Sequence, residues 1–494
     1  MGKEQKGIQV RRRDFIKATT LASMAATLPL TSLAGPNTIN GSIPSPAGKK
    51  RNLVFLSNTP ESYEKFINSI KSLREYDVDV TPMKADFQKP QEILASIESK
   101  NTDILLMRLP SVGMTSRHIA EGMGTLDVPV ILLPASPDLI LLETDLAAAF
   151  QMKGTNALVA HSEDRALELI KILAAPRILE GKKALIFGRP YNSTTVPAPN
   201  LSDEFIYRRT GVRLEHRPME ELIERMKSVD EAAARREMER WKKEATKIVE
   251  PSDEEIIKSS KLYVLLRNIV DEEGLSSISI DCLSYSFGND TTLPTPCLAF
   301  TRLRDEGVSA PCEADICMML ASMLMQEIGR KPSYVANVSS VNTETSSTVL
   351  RHCVTPLKMF GPDGEQQPYV LRDYHGYGRG VTAEMEFPVG LDVTIGGFSK
   401  DLKSFVLWPG IIRPGKYDMN TPSFENPPTG MENMRKFCSN RAEIKINDVN
   451  SFLKNIAGIH NIMIAGSHSQ AIGDAMLRMN VDVIAPPDLT IPEI

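Results

Sequence analysis

In the first third of the chain, short continuous apolar runs alternate with amphipathic stretches. The apolar runs predict strands, and they are Leu53–Leu56, Ile104–Met107 and Pro129–Leu133. The amphipathic stretches predict helices over Pro60–Tyr76 and Ser116–Met123. Strands that are apolar on both faces and separated by helices are typical of a parallel sheet covered on both sides. We therefore predict a Rossmann-like α/β domain over residues 52–175.

The same alternation resumes further along the chain. The run Ala184–Gly188 predicts a strand, and residues 218–250 form a highly charged stretch whose apolar residues recur at helical spacing. A buried strand is predicted over Ser277–Cys282, followed by a Met-rich helix over Glu313–Ile328. These features predict a second Rossmann-like α/β domain over residues 176–345.

From about Ser346 the pattern changes to short strand-like runs with Gly and Pro between them. The runs are Glu384–Phe387, Leu391–Ile395, Ser404–Leu407 and Ala442–Ile446. Such spacing predicts an antiparallel, barrel-like C-terminal domain over residues 346–494. The predicted fold class is therefore α/β, with two Rossmann-like α/β domains followed by a β-rich, barrel-like C-terminal domain.

The N-terminus has the pattern of an export signal. Arg12 and Arg13 form a twin-arginine pair, a weakly apolar run follows, and Ser32-Leu33-Ala34 is a small-x-small cleavage pattern. We therefore predict a twin-arginine signal peptide over residues 1–34 and a Gly/Pro/Ser-rich linker over 35–51, with export to the periplasm. No other segment offers the roughly 20 apolar residues that a membrane span requires.

The net charge, the cysteines and the absence of two common motifs limit which ligands and reactions are expected for this chain. The 494 residues carry a net charge of −5, and residues 1–34 carry +4, so the rest of the chain carries about −9. This acidic balance argues against nucleic-acid binding. The six cysteines include no CxxC pair, and their disulfide pairing is open. No GxxxxGK[ST] or GxSxG is present, which removes the simplest support for nucleotide binding or serine hydrolysis.

Three residues far apart in the sequence could form a metal site. Glu313 stands at the predicted start of a helix, and His352 and His460 lie in strand-like contexts. One carboxylate with two imidazoles suits Mn²⁺, Fe²⁺, Co²⁺ or Zn²⁺. Each residue also has a structural explanation, because a glutamate can complement a helix dipole and a histidine can simply belong to a core. His375, in a Tyr/Gly-rich turn, and Arg189 are assigned to substrate binding.

Several motifs resemble one enzyme family. They are Glu313-Ala314-Asp315, Gly329-Arg330-Lys331-Pro332, Tyr334-Val335-Ala336-Asn337, His352-Cys353, and His460 with Gly466-Ser467-His468. Together they resemble the L-fucose/L-arabinose isomerase family, most clearly over the last 200 residues. The resemblance implies a free sugar as substrate, a divalent metal, usually Mn²⁺, and a homo-oligomer, a hexamer or trimer. It also implies metal ligands at Glu313, position 337 and His460, with His352 as an additional ligand.

Asn337 departs from that family, which has Asp or Glu at this position. An amide oxygen can bind a hard cation, but it carries no charge and cannot act as a base. Glu313 is then the remaining general base for aldose–ketose isomerisation through an ene-diol, with Glu344, Asp315 or a metal-bound water as its partner. Asn337 is kept as a catalytic and metal-site residue. Two alternatives stay open: a catalytically altered or inactive carbohydrate-binding homologue, and a periplasmic sugar-binding protein.

Overall fold

The computed structural model of the protein describes most of the chain after residue 49. The described residues are 50–73, 78–110, 116–136, 138–174, 177–193, 196–197, 201–286, 293–415, 440–479, 481–487 and 489. The signal peptide predicted for residues 1–34 lies outside them, as does the predicted linker except for its last two residues. The chain divides into two compact units, one of residues up to Arg177 together with Leu477–Asn480, and one of Ile178–Met476 together with Val481–Pro492.

The first unit contains a five-stranded parallel sheet in the order β2-β1-β3-β4-β5. Its strands are β1 (Arg51–Ser57), β2 (Val78–Lys84), β3 (Ile104–Arg108), β4 (Val130–Leu133) and β5 (Ala157–Val159). Its helices are α1 (Glu64–Lys71), which follows a 3-10 turn (Pro60–Tyr63), α2 (Pro90–Ser99), α3 (Ser116–Met123), α4 (Leu141–Met152) and α5 (Glu163–Ala174). Both faces of the sheet are buried under separate apolar clusters, as the continuous apolar strands predict.

The second unit begins with mixed elements. Its strands before the barrel are β6 (Lys183–Phe187), β7 (Tyr191–Ser193), β8 (Val196–Pro197), β9 (Arg213–Arg217), β10 (Lys247–Ile248) and β11 (Ser277–Ile280). Its helices there are α6 (Asp203–Thr210), α7 (Met219–Met226), α8 (Glu231–Glu244), α9 (Asp253–Glu273), α10 (Leu283–Ser286), α11 (Cys297–Asp305) and α12 (Ile316–Gly329).

A small parallel sheet in this unit leads directly to the candidate site. β6 lies between β11 and β9, and all three strands run parallel. Beyond β11 the chain at Ser309 runs parallel to Ser277 through an isolated bridge. The carboxyl ends of these segments therefore meet at one edge, where α/β proteins commonly bind ligands.

The remaining strands are mostly antiparallel. They are β12 (Tyr334–Asn342), β13 (Ser347–His352), β14 (Tyr369–Asp373), β15 (Val381–Met385), β16 (Asp392–Phe398), β17 (Ser404–Arg413), β18 (Asn440–Ile446), β19 (His460–Ala465) and β20 (Asp482–Ile484). Two helices, α13 (Val449–Lys454) and α14 (Ser469–Met479), complete the described elements. The mixed α/β class is confirmed.

Six of these strands close into a barrel, which confirms the barrel-like prediction. The order β16-β19-β12-β13-β18-β17 returns to β16, and each pairing is antiparallel. β20 adds to β17 in parallel. Closure satisfies the backbone groups that an open sheet would leave at its edges. Fully buried side chains such as Trp408 belong to the associated core.

The structure differs from the sequence-based expectations in three details of this region. The first barrel strand, β12, starts at Tyr334, before the predicted change of character at Ser346. The predicted strand at Glu384–Phe387 corresponds to β15, which pairs with β14 in a separate three-stranded sheet with β10. The Met-rich helix α12 begins at Ile316 and not at Glu313, because Asp315 is its N-cap.

Among the described residues, no helix combines the length and apolar character that crossing a bilayer needs.

Candidate metal centre

Glu313 lies in a strained turn that connects the parallel sheet to α12. Its φ is 65° and that of Ala314 is 52°, so two consecutive non-glycine residues are left-handed. Such a conformation costs roughly 1–3 kcal/mol per residue and persists only where surrounding contacts impose it. Asp315 then accepts a hydrogen bond from the Met318 backbone N–H at 2.9 Å, which caps α12. Glu313 is therefore a turn residue ahead of the helix, not a helical one.

Two buried side chains hold this turn. Ser279 Oγ, on β11, donates to the carbonyl of Pro311 at 2.7 Å and accepts from the Ala314 N–H at 3.1 Å. The guanidinium of Arg304, which is 0% exposed, donates to the carbonyls of Ala310 at 2.9 Å and Val354 at 3.3 Å. Arg304 thus ties the segment before Glu313 to the segment after His352. Sequence reasoning missed both residues, because their partners are distant along the chain.

His460 is the first residue of β19, and its ring is held between two carboxylates. Its Nδ1 is 3.1 Å from Asp315 Oδ2, and its Nε2 is 3.2 Å from Glu313 Oε2. A carboxylate that receives one imidazole N–H fixes the ring so that the other nitrogen can bind a metal. Asp315 therefore orients His460, and it also lies 3.8 Å from the ammonium of Lys400.

His352 ends β13 and approaches Glu313 from a different strand. Its Nε2 lies 3.5 Å from Glu313 Oε1, and the ring is 1% exposed. On the other side, Nδ1 faces two thiols, Cys353 Sγ at 3.5 Å and Cys312 Sγ at 3.8 Å. Cys353 Sγ is in turn 3.6 Å from Cys297 Sγ, and both are free thiols. The three predicted ligands, Glu313, His352 and His460, thus converge, with one potential ligand atom of each within 4.8 Å of the others.

Burial and mutual contacts set the ionisation of this cluster. Burial by itself would raise the pKa of Glu313, but the charge of His460 and the contacts with both imidazoles hold that pKa well below its usual range. Burial also opposes the charged form of His460, yet Glu313 and Asp315 raise its pKa to about 9. The pKa of His352 is lowered, chiefly by burial. Without a metal, the cluster is an ionised Glu313 against a protonated His460.

Asn337 is directly opposite His460 in the β12–β19 pairing. Residues opposite each other in antiparallel strands project to the same face, about 5 Å apart at Cβ. The Oδ1 atom of Asn337 is buried and has no hydrogen-bond partner among the described residues. A buried amide oxygen without a donor is costly, and a cation beside His460 would satisfy it.

The two residues assigned to substrate binding differ in their surroundings. His375 is 5% exposed, has a φ of 55° and stacks on Tyr374 with ring centroids 4.0 Å apart. Burial, reinforced by the charge of His352, lowers the pKa of His375 to about 3, while Glu313 acts in the opposite direction. His375 is thus electrostatically coupled to the cluster. Arg189 is exposed, and its backbone N–H is 3.4 Å from Asp281 Oδ2, at the edge where β6 and β11 end.

The two carboxylates proposed from the sequence as partners of Glu313 have other roles. Glu344 is exposed in the turn between β12 and β13, and its N–H donates to Asn342 Oδ1 at 2.9 Å. β12 ends five residues beyond Asn337, roughly 17 Å along the strand, and the turn follows. Asp315 is already occupied by His460 and by the N-terminus of α12. A third carboxylate, Asp281, is buried near the Glu313 turn and was not identified from the sequence.

Neither a protein-family model nor a curated protein matches this chain.

The cluster has the donor set and spacing of a metal site. Two donors at right angles around an ion about 2.1 Å away lie about 3 Å apart, and the observed nitrogen–oxygen distances are 3.2 and 3.5 Å. The imidazole of His352 and the amide of Asn337 each present a buried atom, Nε2 and Oδ1, that lacks a hydrogen bond among the described residues. One carboxylate and two imidazoles fit a borderline or hard divalent cation. The residues present therefore fit a divalent metal.

Proposed function

We propose that this protein is a metal-dependent sugar isomerase that interconverts an aldose and a ketose. The observation that supports it most strongly is the convergence of Glu313, His352 and His460 from three elements onto one strained turn. The second support is the resemblance of the motifs around these residues to the L-fucose/L-arabinose isomerase family.

Glu313, His352, His460 and the amide oxygen of Asn337 would hold the ion, with Mn²⁺ as the first candidate. A bound divalent cation supplies Lewis-acid polarisation of a carbonyl and its neighbouring hydroxyl. This set carries a single negative charge. A site with a carboxylate at position 337 would carry two, so the affinity for a hard cation is expected to be lower here.

Glu313 is the proposed base. Its lowered pKa keeps the carboxylate ionised at neutral pH, so it can accept the C2 proton of an aldose and return it to C1 through an ene-diol, while the hydroxyl proton passes from O2 to O1 through a water molecule. The turn that carries Glu313 is fixed at Ser279 and Arg304, which limits the motion of the carboxylate during transfer. His460 is held by Asp315, so its Nε2 stays directed at Glu313.

His375 and Arg189 are proposed to bind the sugar. The imidazole of His375 stays neutral down to about pH 3, so one ring nitrogen can donate to a hydroxyl while the other accepts. Arg189 contributes a cationic side chain at the carboxyl edge of the parallel sheet. Neither residue is positioned to move a proton of the substrate in this scheme.

The test combines metal analysis with substrate conversion. The protein purified from its native compartment is analysed for bound metals, then incubated in deuterated water with a panel of aldopentoses, aldohexoses and 6-deoxyaldohexoses. An isomerase that uses an ene-diol produces a ketose and incorporates solvent deuterium. A protein with stoichiometric metal and no conversion or deuterium exchange with any sugar would contradict the proposal.

Asn337 favours a second candidate, a carbohydrate-binding protein that retains the site without catalysis. In that case the metal-loaded protein binds a sugar measurably by calorimetry but exchanges no deuterium. A two-lobed periplasmic sugar-binding protein would instead bind sugar with its metal removed. The same sugar panel, run with and without metal, distinguishes the three functions.

The broader expectations are proposals too. We propose that the two parallel sheets belong to Rossmann-like domains, that the chain forms a hexamer or trimer, and that residues 1–34 direct export to the periplasm. Light scattering at micromolar concentration tests the assembly, and a monomer would contradict it. N-terminal sequencing of the mature protein tests the signal, which requires cleavage close to Ala34.

A further inference from the structure

A buried carboxylate oxygen without a partner lies at the end of β11. Asp281 directly follows that strand and is 4% exposed. Its Oδ1 is buried and has no hydrogen-bond partner among the described residues. The other oxygen, Oδ2, faces the backbone N–H of Arg189 at 3.4 Å. Buried polar atoms in folded proteins are nearly always satisfied, so an unpaired carboxylate oxygen calls for a ligand or water.

Hydrogen bonds of the neighbouring residues Ser279 and Cys282, and one electrostatic interaction, connect Asp281 to the turn that carries Glu313. Ser279, two residues earlier, bonds to both sides of that turn. The thiol of Cys282, the next residue, accepts a hydrogen bond from the Glu313 backbone N–H. Burial raises the pKa of Asp281, the backbone N–H groups of Arg189 and Ser284 and the charge of Arg189 lower it, and the negative charge of Glu313 adds a smaller increase. The unpaired oxygen therefore belongs to the same edge of the sheet as Glu313.

The backbone around Asp281 limits where its side chain can go. Gly188 has a φ of +89°, and a Cβ built on it would lie 2.7 Å from the Cβ of Asp281. The Asp281 N–H also donates to the carbonyl of Phe187 at 2.8 Å. β6 and β11 are thus in close contact at this point. The carboxylate is held by well-packed strands, as a specific binding group requires.

We propose that Asp281 accepts a hydrogen bond from a hydroxyl group of a polyhydroxylated ligand and so selects the orientation in which that ligand meets Glu313. This inference rests on the proposed function for the assumption that the ligand is a sugar. An ionised carboxylate only accepts hydrogen bonds, and every hydroxyl of a polyol can donate one. Of the carboxylates considered as partners of Glu313, Asp315 is occupied by His460, and Glu344 is exposed on a distant turn.

A binding site built around such an acceptor discriminates strongly between ligands that carry the matching hydroxyl and ligands that lack it. When a ligand lacks the matching hydroxyl, the buried carboxylate is left without its donor, and binding suffers more than from the loss of an apolar contact. Asp281 would therefore set which stereoisomers and deoxy derivatives are accepted. Its role is binding and orientation, and the proton transfer is left to Glu313.

The experiment uses alditols, which lack a carbonyl and cannot be isomerised. The full-length protein saturated with Mn²⁺ is titrated calorimetrically with ribitol, xylitol, L-arabinitol and galactitol. For the alditol bound best, Asp281→Asn is expected to weaken binding about tenfold and Asp281→Ala about 100-fold, since hydrogen bonds to charged groups are strong. The affinity for Mn²⁺ should stay within about threefold of that of the unmodified protein, because Asp281 is not among the proposed ligands.

Asp305→Asn is the matched control. Asp305 is equally buried, and its Oδ2 also has no hydrogen-bond partner among the described residues, but its Oδ1 accepts the N–H groups of Leu357 and Lys358 at 2.7 and 2.9 Å, which ties it to that segment and not to the turn that carries Glu313. This control is expected to leave alditol affinity unchanged. A second measurement avoids variants: the unmodified protein is titrated with monodeoxy derivatives of its best alditol, and one of them should bind at least tenfold more weakly.

The outcomes separate this inference from the proposed isomerase. Alditol binding that is unchanged in folded Asp281→Asn and Asp281→Ala overturns the role of Asp281, even if the protein isomerises an aldose. Binding that depends on Asp281 in a protein that isomerises nothing contradicts the isomerase and keeps the binding role. If every monodeoxy derivative binds as tightly as its parent, or if no alditol binds at all, the inference about Asp281 is wrong.

Discussion

Each unit of this protein contains a parallel sheet, but the surroundings of the carboxyl ends of the strands differ between the two. In the five-stranded sheet of the first unit, residues such as Leu106 on β3 are fully buried, and the interiors of the central strands β1, β3 and β4 are apolar. In the smaller sheet of the second unit, β11 carries Ser279 and is followed by Asp281 and Cys282. The first sheet also ends in polar residues, Ser57 and Arg108, but the polar residues that end the second sheet lie beside the turn that carries Glu313.

Backbone geometry sharpens that difference. In the second unit, the chain leaves the sheet edge through two left-handed residues, Glu313 and Ala314, and His375 is also left-handed. Left-handed non-glycine residues are stabilised by surrounding contacts and tend to occur at functional sites. The first unit has a single described non-glycine residue of this kind, Asn101, in an exposed turn. Four further left-handed non-glycine residues of the second unit, Arg330, Ser346, Leu402 and Asp448, lie at helix caps, turns or bends, whereas Glu313 and Ala314 are consecutive and lie at the ionisable cluster.

The largest expected effect is that of Glu313→Gln. Removing the only carboxylate among the proposed ligands should weaken metal affinity by about 10³-fold or more, and losing the general base should lower turnover by roughly 10²–10⁴-fold. Competition with a fluorescent chelator measures the affinity, and ketose formation measures the rate. Glu344→Gln, on the exposed turn, is the matched control and should change neither quantity. Metal binding that survives in Glu313→Gln would exclude the site described here.

The next effect separates stability from metal binding. Arg304→Met leaves the carbonyls of Ala310 and Val354 without donors, which should lower the free energy of unfolding by about 2–4 kcal/mol. Leu106→Ala, in the first unit, should cost a similar 2–5 kcal/mol through a cavity. Only Arg304→Met is expected to weaken metal affinity, because it loosens the segments on either side of the site. Urea denaturation and chelator competition on both variants test this, and equal metal affinities would show that Arg304 has no role in positioning.

The third expectation concerns pH in metal-free protein. The pKa of His460 is raised from its ordinary 6.5 to about 9, so its stabilising contribution is complete below about pH 6.5 and is lost as pH rises through 9. The lowered pKa of Glu313 works oppositely, with a contribution present above its ordinary range and lost as pH falls. Chelator-treated protein should therefore lose roughly 2–3 kcal/mol of unfolding free energy between pH 6.5 and 9. His460→Gln should remove most of that loss.

Protonation of His460 also competes with metal binding. A histidine must lose its proton before its Nε2 can bind a cation, so metal binding should release one proton from His460 below about pH 9. The apparent affinity should then rise close to tenfold per pH unit between pH 6 and 8. A pH-independent affinity in that range would mean that His460 is not a ligand. The slope is measured with the chelator used for Glu313→Gln.

Sequence patterns anticipated the apolar strands and the barrel better than the edges of the sheets. β1, β3 and β4 are continuous apolar runs, so their burial could be predicted. β2 was missed because it is an edge strand that contains Pro82 and alternates buried with exposed residues. Edge strands carry a weaker apolar signal than central ones, and proline is tolerated there.

The candidate site was predictable in part. Glu313, His352 and His460 were selected from their residue types and from a family resemblance, and the structure brings them together. The left-handed turn at Glu313 could not be predicted, because it depends on contacts with β11 and Arg304. Asp281 was missed for the same reason: one aspartate after a strand is unremarkable until its partners are known.

The smallest expected effect concerns Asn337, where the sequence-based comparison with the isomerase family predicts Asp or Glu. Asn337→Asp adds a negative charge opposite His460, where a buried amide oxygen lacks a donor. A second carboxylate should raise the affinity for Mn²⁺ about tenfold, since ligand charge is a main determinant of cation affinity. In metal-free protein the added charge is buried, so the variant should be less stable until the ion is supplied. Chelator competition and thermal unfolding with and without Mn²⁺ measure both effects.

The control for this substitution lies on the same strand. Asn342→Asp makes the same chemical change at an exposed position of β12 and should leave metal affinity unaltered. If Glu313 is a competent base, Asn337→Asp should also raise turnover, and adding Glu313→Gln should abolish both the original and the increased activity. An Asn337→Asp variant with unchanged metal affinity and unchanged rate would mean that position 337 is outside the metal site. The polar edge of the second sheet would then contribute to the site only through Glu313 and the two histidines.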